Sequence, residues 1–164
     1  MRSLSVWLGF STLLVVLDQI TKIVIQRALV PGESIDVLAP IVTLVLAYNP
    51  GAAFSFLASA SGWQRYFFLG IALIASALII YMMTKHRSDR FLCFALALVL
   101  GGAVGNLIDR AVYGAVVDFV LLRWPGGPGL LDPWPAFNLA DSCITIGAAL
   151  LIWDSFRRSR VKTA

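Results

Sequence analysis

The sequence predicts an α-helical integral membrane protein with four transmembrane helices and a small extracytoplasmic β-rich segment. Three observations carry that prediction. Of the 164 residues, 59% are hydrophobic and only 13% charged, about half the charged share of an ordinary soluble domain. Two stretches, Tyr66 to Thr84 and Phe91 to Ile108, contain no charge at all and approach the ~20 residues needed to cross a hydrocarbon layer of ~30 Å. The basic residues also gather in the segments that four crossings would leave on one side.

The first span must begin near Leu4 and continue through Asp18, Gln19 and Lys22 to about residue 26, because the uncharged run Ser3 to Leu17 is too short by itself. The second and third spans are expected near 66–84 and 91–112. The fourth has to start at about 137 and take in Asn138 and Asp141 before it reaches Trp153, giving 137–156. The whole chain, 1–164, reads as a single membrane-embedded domain. A basic start at Arg2 and an apolar stretch resemble a secretory signal, but no small-x-small cleavage site follows, so the first span is expected to stay uncleaved.

Arg2, Lys85, Arg87, Arg90, Arg157, Arg158, Arg160 and Lys162 would share one side, eight of the 13 basic residues. That side should be cytoplasmic, with both termini. The outer segments are then 27–65 and 113–136. In the first, SIDVLAPIVTLVLAYNPGAAFSF suggests two or three short strands over the membrane surface, and SASGWQRYF a polar turn with Trp63 at the interface. In the second, RWPGGPGLLDPWP reads as a Gly/Pro-rich loop whose two Trp suit the interface.

Several chemistries are poorly supported. Cys93 and Cys143 are placed at opposite faces of the bilayer, about 30 Å apart, too far for a disulfide. The single His, His86, falls in the charged turn KHRSDR, and neither CxxC nor HExxH occurs, so no metal site or His-based nucleophile is expected. The net charge of +4 reports the basic cytoplasmic ends, and no nucleic-acid partner follows from it.

Of the nine acidic residues, Glu33, Asp36, Asp89, Asp132 and Asp154 read as solvated or helix-end charges. Asp18, Asp109, Asp118 and Asp141 remain, all near the outer interface. Asp18 and Lys22 are four apart, acid first, the favourable order for an ion pair on one helix face. Gly102, Asn106 and Arg110 form one stripe, and Gly101 with Gly105 makes a GxxxG face for close helix approach. Gly114 should end that helix. VVDFV looks extended, with Asp118 opposite Val117 and Phe119. Asn138 and Asp141 share a face of the last helix.

Two carboxylates from different elements, Asp118 and Asp141, thus stand at similar depth. A close pair of this kind tends to hold one proton between them and could hydrolyse a peptide bond with water alone. Composition and spacing leave three readings open: catalysis, structural pairing across helices, and a path for ions or protons. The last would make the chain a small proton-coupled transporter or channel subunit, the second a membrane scaffold. Cys143 points away from Asp141 and has no base beside it. Ser142 lacks a partner base too.

The blocks LDQITK (17–22), NPGAAFSF (49–56), GGAVGNLIDR (101–110), VVDF (116–119) and FNLADSCI (137–144) together resemble, in order, those of bacterial lipoprotein signal peptidase, the signal peptidase II family of membrane aspartyl proteases. The resemblance implies an enzyme of the bacterial cytoplasmic membrane that removes the signal peptide of a diacylglyceryl-modified prolipoprotein by cutting before the lipidated Cys, near the outer face. It implies Asp118 and Asp141 as the catalytic pair. Asp18, Lys22, Asn49, Gly51, Asn106, Arg110, Asn138 and Ala140 match the supporting positions. No metal or other cofactor is implied. The expected partners are lipid-modified prolipoproteins and membrane lipids, and the expected state is a monomer. Asp109 is read as structural and Asp132 as a weak rival acid. Gly51, Ala52 and Ala53 are small enough to admit a lipid or a peptide backbone.

Overall fold

The computed structural model describes residues 3–51, 62–126 and 132–162. Their elements, in order, are α1 (Leu4–Ala28), β1 (Ser34–Leu38), β2 (Val42–Asn49), α2 (Trp63–Lys85), α3 (Arg90–Tyr113), β3 (Val116–Leu122), β4 (Trp134–Phe137) and α4 (Leu139–Lys162). All four helices are long and apolar enough to cross a membrane. The strands form one antiparallel sheet in the order β1-β2-β3-β4.

Helix α3 is the centre of the bundle, packed against α1, α2 and α4. Its glycines explain why. A Cβ at Gly101 would meet Leu14 Cβ at 2.9 Å, one at Gly102 would meet the Ala140 carbonyl oxygen at 2.3 Å, and one at Gly105 would meet Asp18 Oδ2 at 2.6 Å. Three neighbouring positions therefore serve two helices, α1 and α4, as small-residue contact faces do in apolar solvent. Ser11 ties α1 to α3 by donating to the Ala97 carbonyl at 3.0 Å.

One apolar cluster, with Trp7, Ile79, Met83, Cys93 and Leu96, joins α1, α2 and α3 at the end away from the sheet. A second joins Ile25 and Leu29 at the end of α1 to Leu46, Val117 and Phe119 of the sheet. Large apolar side chains left exposed on the helices, such as Ile20, Val24, Ile74 and Leu78, are the surface that lipid would cover.

The ends of the elements differ from the sequence expectations in instructive ways. Asp89 caps α3 by accepting from the Leu92 amide, and Gly114 closes the same helix in the left-handed conformation, φ 77°. Residues 134–136, expected in the outer segment, and Phe137, expected to begin the last span, form β4. Its Pro135 lacks a donor, which an edge strand tolerates. Phe137 therefore belongs to the sheet, and the last helix starts only after Asn138. Asp154 is not solvated: it is buried and bonded to Arg157 and Arg158, and Arg158 also reaches Asp89. The first outer segment holds two strands among its described residues. Ala52 and Ala53 lie outside the described residues, with the expected role assigned to them.

Gly102→Ala should lower the unfolding free energy by about 1–3 kcal/mol, read as a drop in melting temperature in detergent. Gly9→Ala, where nothing lies within 4 Å, should leave stability unchanged or slightly raised.

Candidate active site

The end of the bundle that carries the sheet holds a continuous hydrogen-bonded network of buried polar side chains. At its centre is Lys22, 1% exposed. The ammonium has three protons and three partners: Asp18 Oδ2 at 2.7 Å, Asp109 Oδ2 at 2.7 Å and Asn106 Oδ1 at 3.0 Å. A buried charge is tolerated only when it is paired and fully hydrogen-bonded, and this one is both. The i, i+4 spacing of Asp18 and Lys22 is realised as an ion pair. Asp109, expected as structural, proves to be the second anion of the cluster. It also takes the Val117 amide at 3.1 Å, which fixes β3 one residue before Asp118.

Gln19 completes this layer. Its amide nitrogen donates to Asp109 Oδ1 at 2.9 Å and to the Gly105 carbonyl at 3.2 Å. Neither Gln19 nor Asp109 was singled out as a site residue from sequence. Gln19 carried only a weak signal, its place inside the block LDQITK.

Asn106 passes the order of this layer outward. Its Oδ1 already accepts from Lys22 and from Asn138, so its amide nitrogen is turned the other way. It donates to Asp141 Oδ1 at 2.7 Å. Asn138 is locked similarly. Its Oδ1 accepts from the Asp141 amide at 2.9 Å while its own amide N–H donates to Asp141 Oδ2 at 3.2 Å. That reciprocal pair is a capping box with Asp in place of the usual Glu, and it places Asp141 in the first turn of α4, at the positive end of the helix dipole. The remaining Asn138 nitrogen faces Asp118 Oδ1 at 2.8 Å and the Val117 carbonyl at 3.2 Å. Asp18 reaches the same helix end: its Oδ1 accepts from the Ala140 amide at 2.9 Å.

Asp118 is on β3 and 3% exposed. Its second oxygen accepts from Asn49 at 3.2 Å. Asn49 in turn holds the Gly51 amide at 3.0 Å, and Arg110 takes the Gly51 carbonyl at 2.8 Å. The Arg110 guanidinium lies 5.0 Å from the centre of the Phe68 ring; Phe68 left no trace in the sequence reading. Burial, and then the charge of Asp141, push the Asp118 carboxyl up to about 7.

The structure therefore brings Asp118 and Asp141 onto one residue, Asn138, and gathers Asp18, Lys22, Asn49, Gly51, Asn106, Arg110 and Ala140 around them. The rivals stand apart. Asp132 accepts from the Trp124 amide, and Ser142 Oγ is spent on the Asn138 carbonyl of its own helix. Cys143 and Cys93 are buried and free. Among the described residues no group of three or more His, Cys, Asp or Glu side chains could hold a metal ion.

Chemically, this is two carboxylates with separate donors, one on a strand and one at a helix start, sharing a polar layer beneath them. Comparison with known proteins identifies the family and the fold. A family model described as signal peptidase (SPase) II matches residues 10–157. The lipoprotein signal peptidase of Janthinobacterium sp. (strain Marseille) is 55% identical over 152 residues, 93% of this chain and 88% of that protein. The one from Polynucleobacter necessarius subsp. necessarius (strain STIR1) is 48% identical over 166 residues, 100% of this chain and 98% of its own. A bacterial membrane enzyme solved by the in meso method at 2.3 Å resolution superposes with a TM-score of 0.83 at 31% identity, over 94% of this chain and 90% of that one. On that agreement of sequence along nearly the whole length with fold, the chain belongs to the signal peptidase II family and is a membrane protease.

Proposed function

We propose that Asp118 and Asp141 form a catalytic dyad that uses water to cut the signal peptide from a diacylglyceryl-modified prolipoprotein just before its lipidated Cys. The observation that carries this reading is that both carboxylates accept from Asn138, Asp118 from its side-chain amide and Asp141 from its backbone N–H. Structural pairing alone would require an acid to meet a base there. These two acids meet amides instead, which leaves their proton chemistry intact.

In the proposed reaction Asp118 enters carrying the proton and Asp141 enters charged. Asp141 takes a proton from water as the water oxygen attacks the scissile carbonyl, while Asp118 hydrogen-bonds the carbonyl oxygen and supplies its proton to it. The tetrahedral species then collapses: the C–N bond breaks as the leaving nitrogen takes the proton from the acid that Asp141 has become, and a hydroxyl proton of the diol returns to Asp118. No covalent enzyme intermediate forms. Asn106, Asn138 and Asn49 hold the two side chains in place, and Arg110 fixes Gly51 beside them.

The orientation proposed from the basic residues puts the turn between α2 and α3 and the end of α4 in the cytoplasm. The sheet and the dyad then lie at the outer face of the cytoplasmic membrane. A substrate that carries an apolar helix and acyl chains arrives through lipid, and water arrives from outside. The proposed active unit is the monomer, acting on lipid-modified prolipoproteins within membrane lipid.

Purified protein in detergent, given a diacylglyceryl-modified prolipoprotein peptide, should cut it before the modified Cys. Asp118→Asn and Asp141→Asn should each lower kcat/KM by about 10²–10⁴-fold with little change in melting temperature, whereas Ser142→Ala and Cys143→Ala should keep most activity. A folded wild type that leaves the peptide intact would end this reading.

The reaction needs one proton on the pair. As pH rises through about 7, Asp118 loses it, so kcat/KM should fall roughly tenfold per unit above that point. A profile flat from neutral to alkaline pH would exclude Asp118 as the acid.

Lys22→Met removes the donor that sets the Asn106 amide and strands Asp18 and Asp109 without a cation. It should cost about 3–5 kcal/mol of stability, seen in thermal unfolding, and lower kcat more than it raises KM.

A further inference from the structure

The sheet has a feature that hydrolysis does not use. The turn between β1 and β2 is Ala39, Pro40 and Ile41, without a charge or a polar side chain. Around it Val37 is 61% exposed, Leu38 59% and Ile41 45%. A hairpin tip in water usually carries Gly, Pro, Asn, Asp or Ser, and an exposed apolar edge strand invites aggregation. This tip has Pro40, and β1 has Asp36 and an irregular register before Leu38, yet the side chains the tip exposes are apolar.

The end of β3 meets the same tip. The Arg123 amide donates to the Ile41 carbonyl at 2.9 Å, which sets Arg123 and the half-exposed Trp124 beside Leu38 and Ile41. The acids of the segment are turned elsewhere. Asp36 accepts from Thr43 Oγ1 at 2.7 Å, and Glu33 accepts from the Val30 amide at 3.0 Å. What the tip offers outward is Leu, Ile and Val beside a Trp and one Arg. Trp at this position between apolar and polar surroundings, with a cation for phosphate nearby, is the composition of a membrane interface.

Position agrees with composition. The sheet rests on Ile25 and Leu29 at the end of α1. The link from α1 to β1, residues 29–33, spans about 17 Å at most. The exposed apolar surface of α1, at Ile20, Ile23 and Val24, continues past the helix end in Val30. The hairpin thus extends a surface that lipid already covers.

We propose that the β1–β2 tip, with Arg123 and Trp124, is seated in the leaflet on the side of the sheet, with Leu38 and Ile41 about 5–10 Å into the boundary of headgroups and acyl chains. The partner is phospholipid. Arg123 takes its phosphate, and the tip holds the edge of the sheet, and so the frame around β3, against the membrane. This inference rests on the four spanning helices and not on the protease chemistry.

The test places an environment-sensitive fluorophore on Leu38→Cys and, separately, on Ile41→Cys, in the otherwise unaltered chain, whose own Cys93 and Cys143 are buried. Each variant is reconstituted into phosphatidylethanolamine–phosphatidylglycerol vesicles. Ile74→Cys on the exposed face of α2 and Arg87→Cys in the turn before α3 serve as lipid and water references. Brominated acyl chains should quench the emission at both tip positions, as at Ile74→Cys, while aqueous iodide leaves it unchanged. Loss of emission to iodide alone, as at Arg87→Cys, would show a tip in water and overturn the proposal. Protection from both quenchers would show a tip covered by protein, another copy of the chain or a different partner, and would overturn it equally. Circular dichroism of each labelled protein checks the fold, and two independent positions guard against one disruptive label.

Discussion

Everything at the sheet end of this protein depends on one buried ammonium group. Lys22 is surrounded by Asp18, Asp109 and Asn106, and an unpaired charge at such a site would cost several kcal/mol. The pairing does more than neutralise. Asp18 and Lys22 belong to α1, Asp109 and Asn106 to α3, so the ion cluster fixes the two helices in register. Asp18 then extends to the Ala140 amide of α4 and Asp109 to the Val117 amide of β3. One cation therefore organises the four elements that carry or support Asp118 and Asp141, the proposed dyad. The glycines of α3 let it happen, since a side chain at Gly102 or Gly105 would push α4 or Asp18 out of reach.

The same layer supplies direction as well as position. An asparagine amide has two nearly equal ends, and only its neighbours decide which one faces a carboxylate. Lys22 decides for Asn106, and the Asp141 amide decides for Asn138. Each aspartate consequently receives N–H donors, never a competing carbonyl. An arrangement with lysine or arginine directly on Asp118 and Asp141 would favour both acids ionised, without the proton that the proposed reaction needs. Amides position a carboxylate without adding a charge that holds it ionised, and the charged groups stand one residue behind them.

Much of this was legible in the sequence. Apolar runs and the distribution of basic residues outlined the four helices. The i, i+4 spacing anticipated the Asp18–Lys22 pair, and the alternation in VVDFV anticipated the strand of Asp118. The failures have physical causes. Strand β4 lies in a segment dense in Gly and Pro, whose local preference is for turns; its pairing with β3 is a tertiary effect that no local pattern reports. Asp154 looked like a solvated end charge because its burial comes from tertiary packing, although its partners Arg157 and Arg158 are local. Asp109 was read as structural, and its contacts with Lys22, Gln19 and Val117 are of that kind; only its partners needed α1, α3 and β3 to meet. Gln19 and Phe68 act through geometry alone.

The placement of the two acids follows from where each environment can tolerate charge. Asp141 begins a helix, where free N–H groups and the dipole favour a negative group, and it closes a capping box that α4 would otherwise lack. Asp118 has no such support. It sits on a buried strand, its position set by the backbone of Val117, which Asp109 holds from one side and Asn138 from the other. A carboxyl in that setting keeps its proton to a higher pH. In the proposed mechanism, the division between acid and base would then follow the secondary structure: the base at a helix start, the acid on a strand. That division needs a sheet at the end of a helical bundle, which gives a protein that is otherwise four membrane helices a reason to carry one.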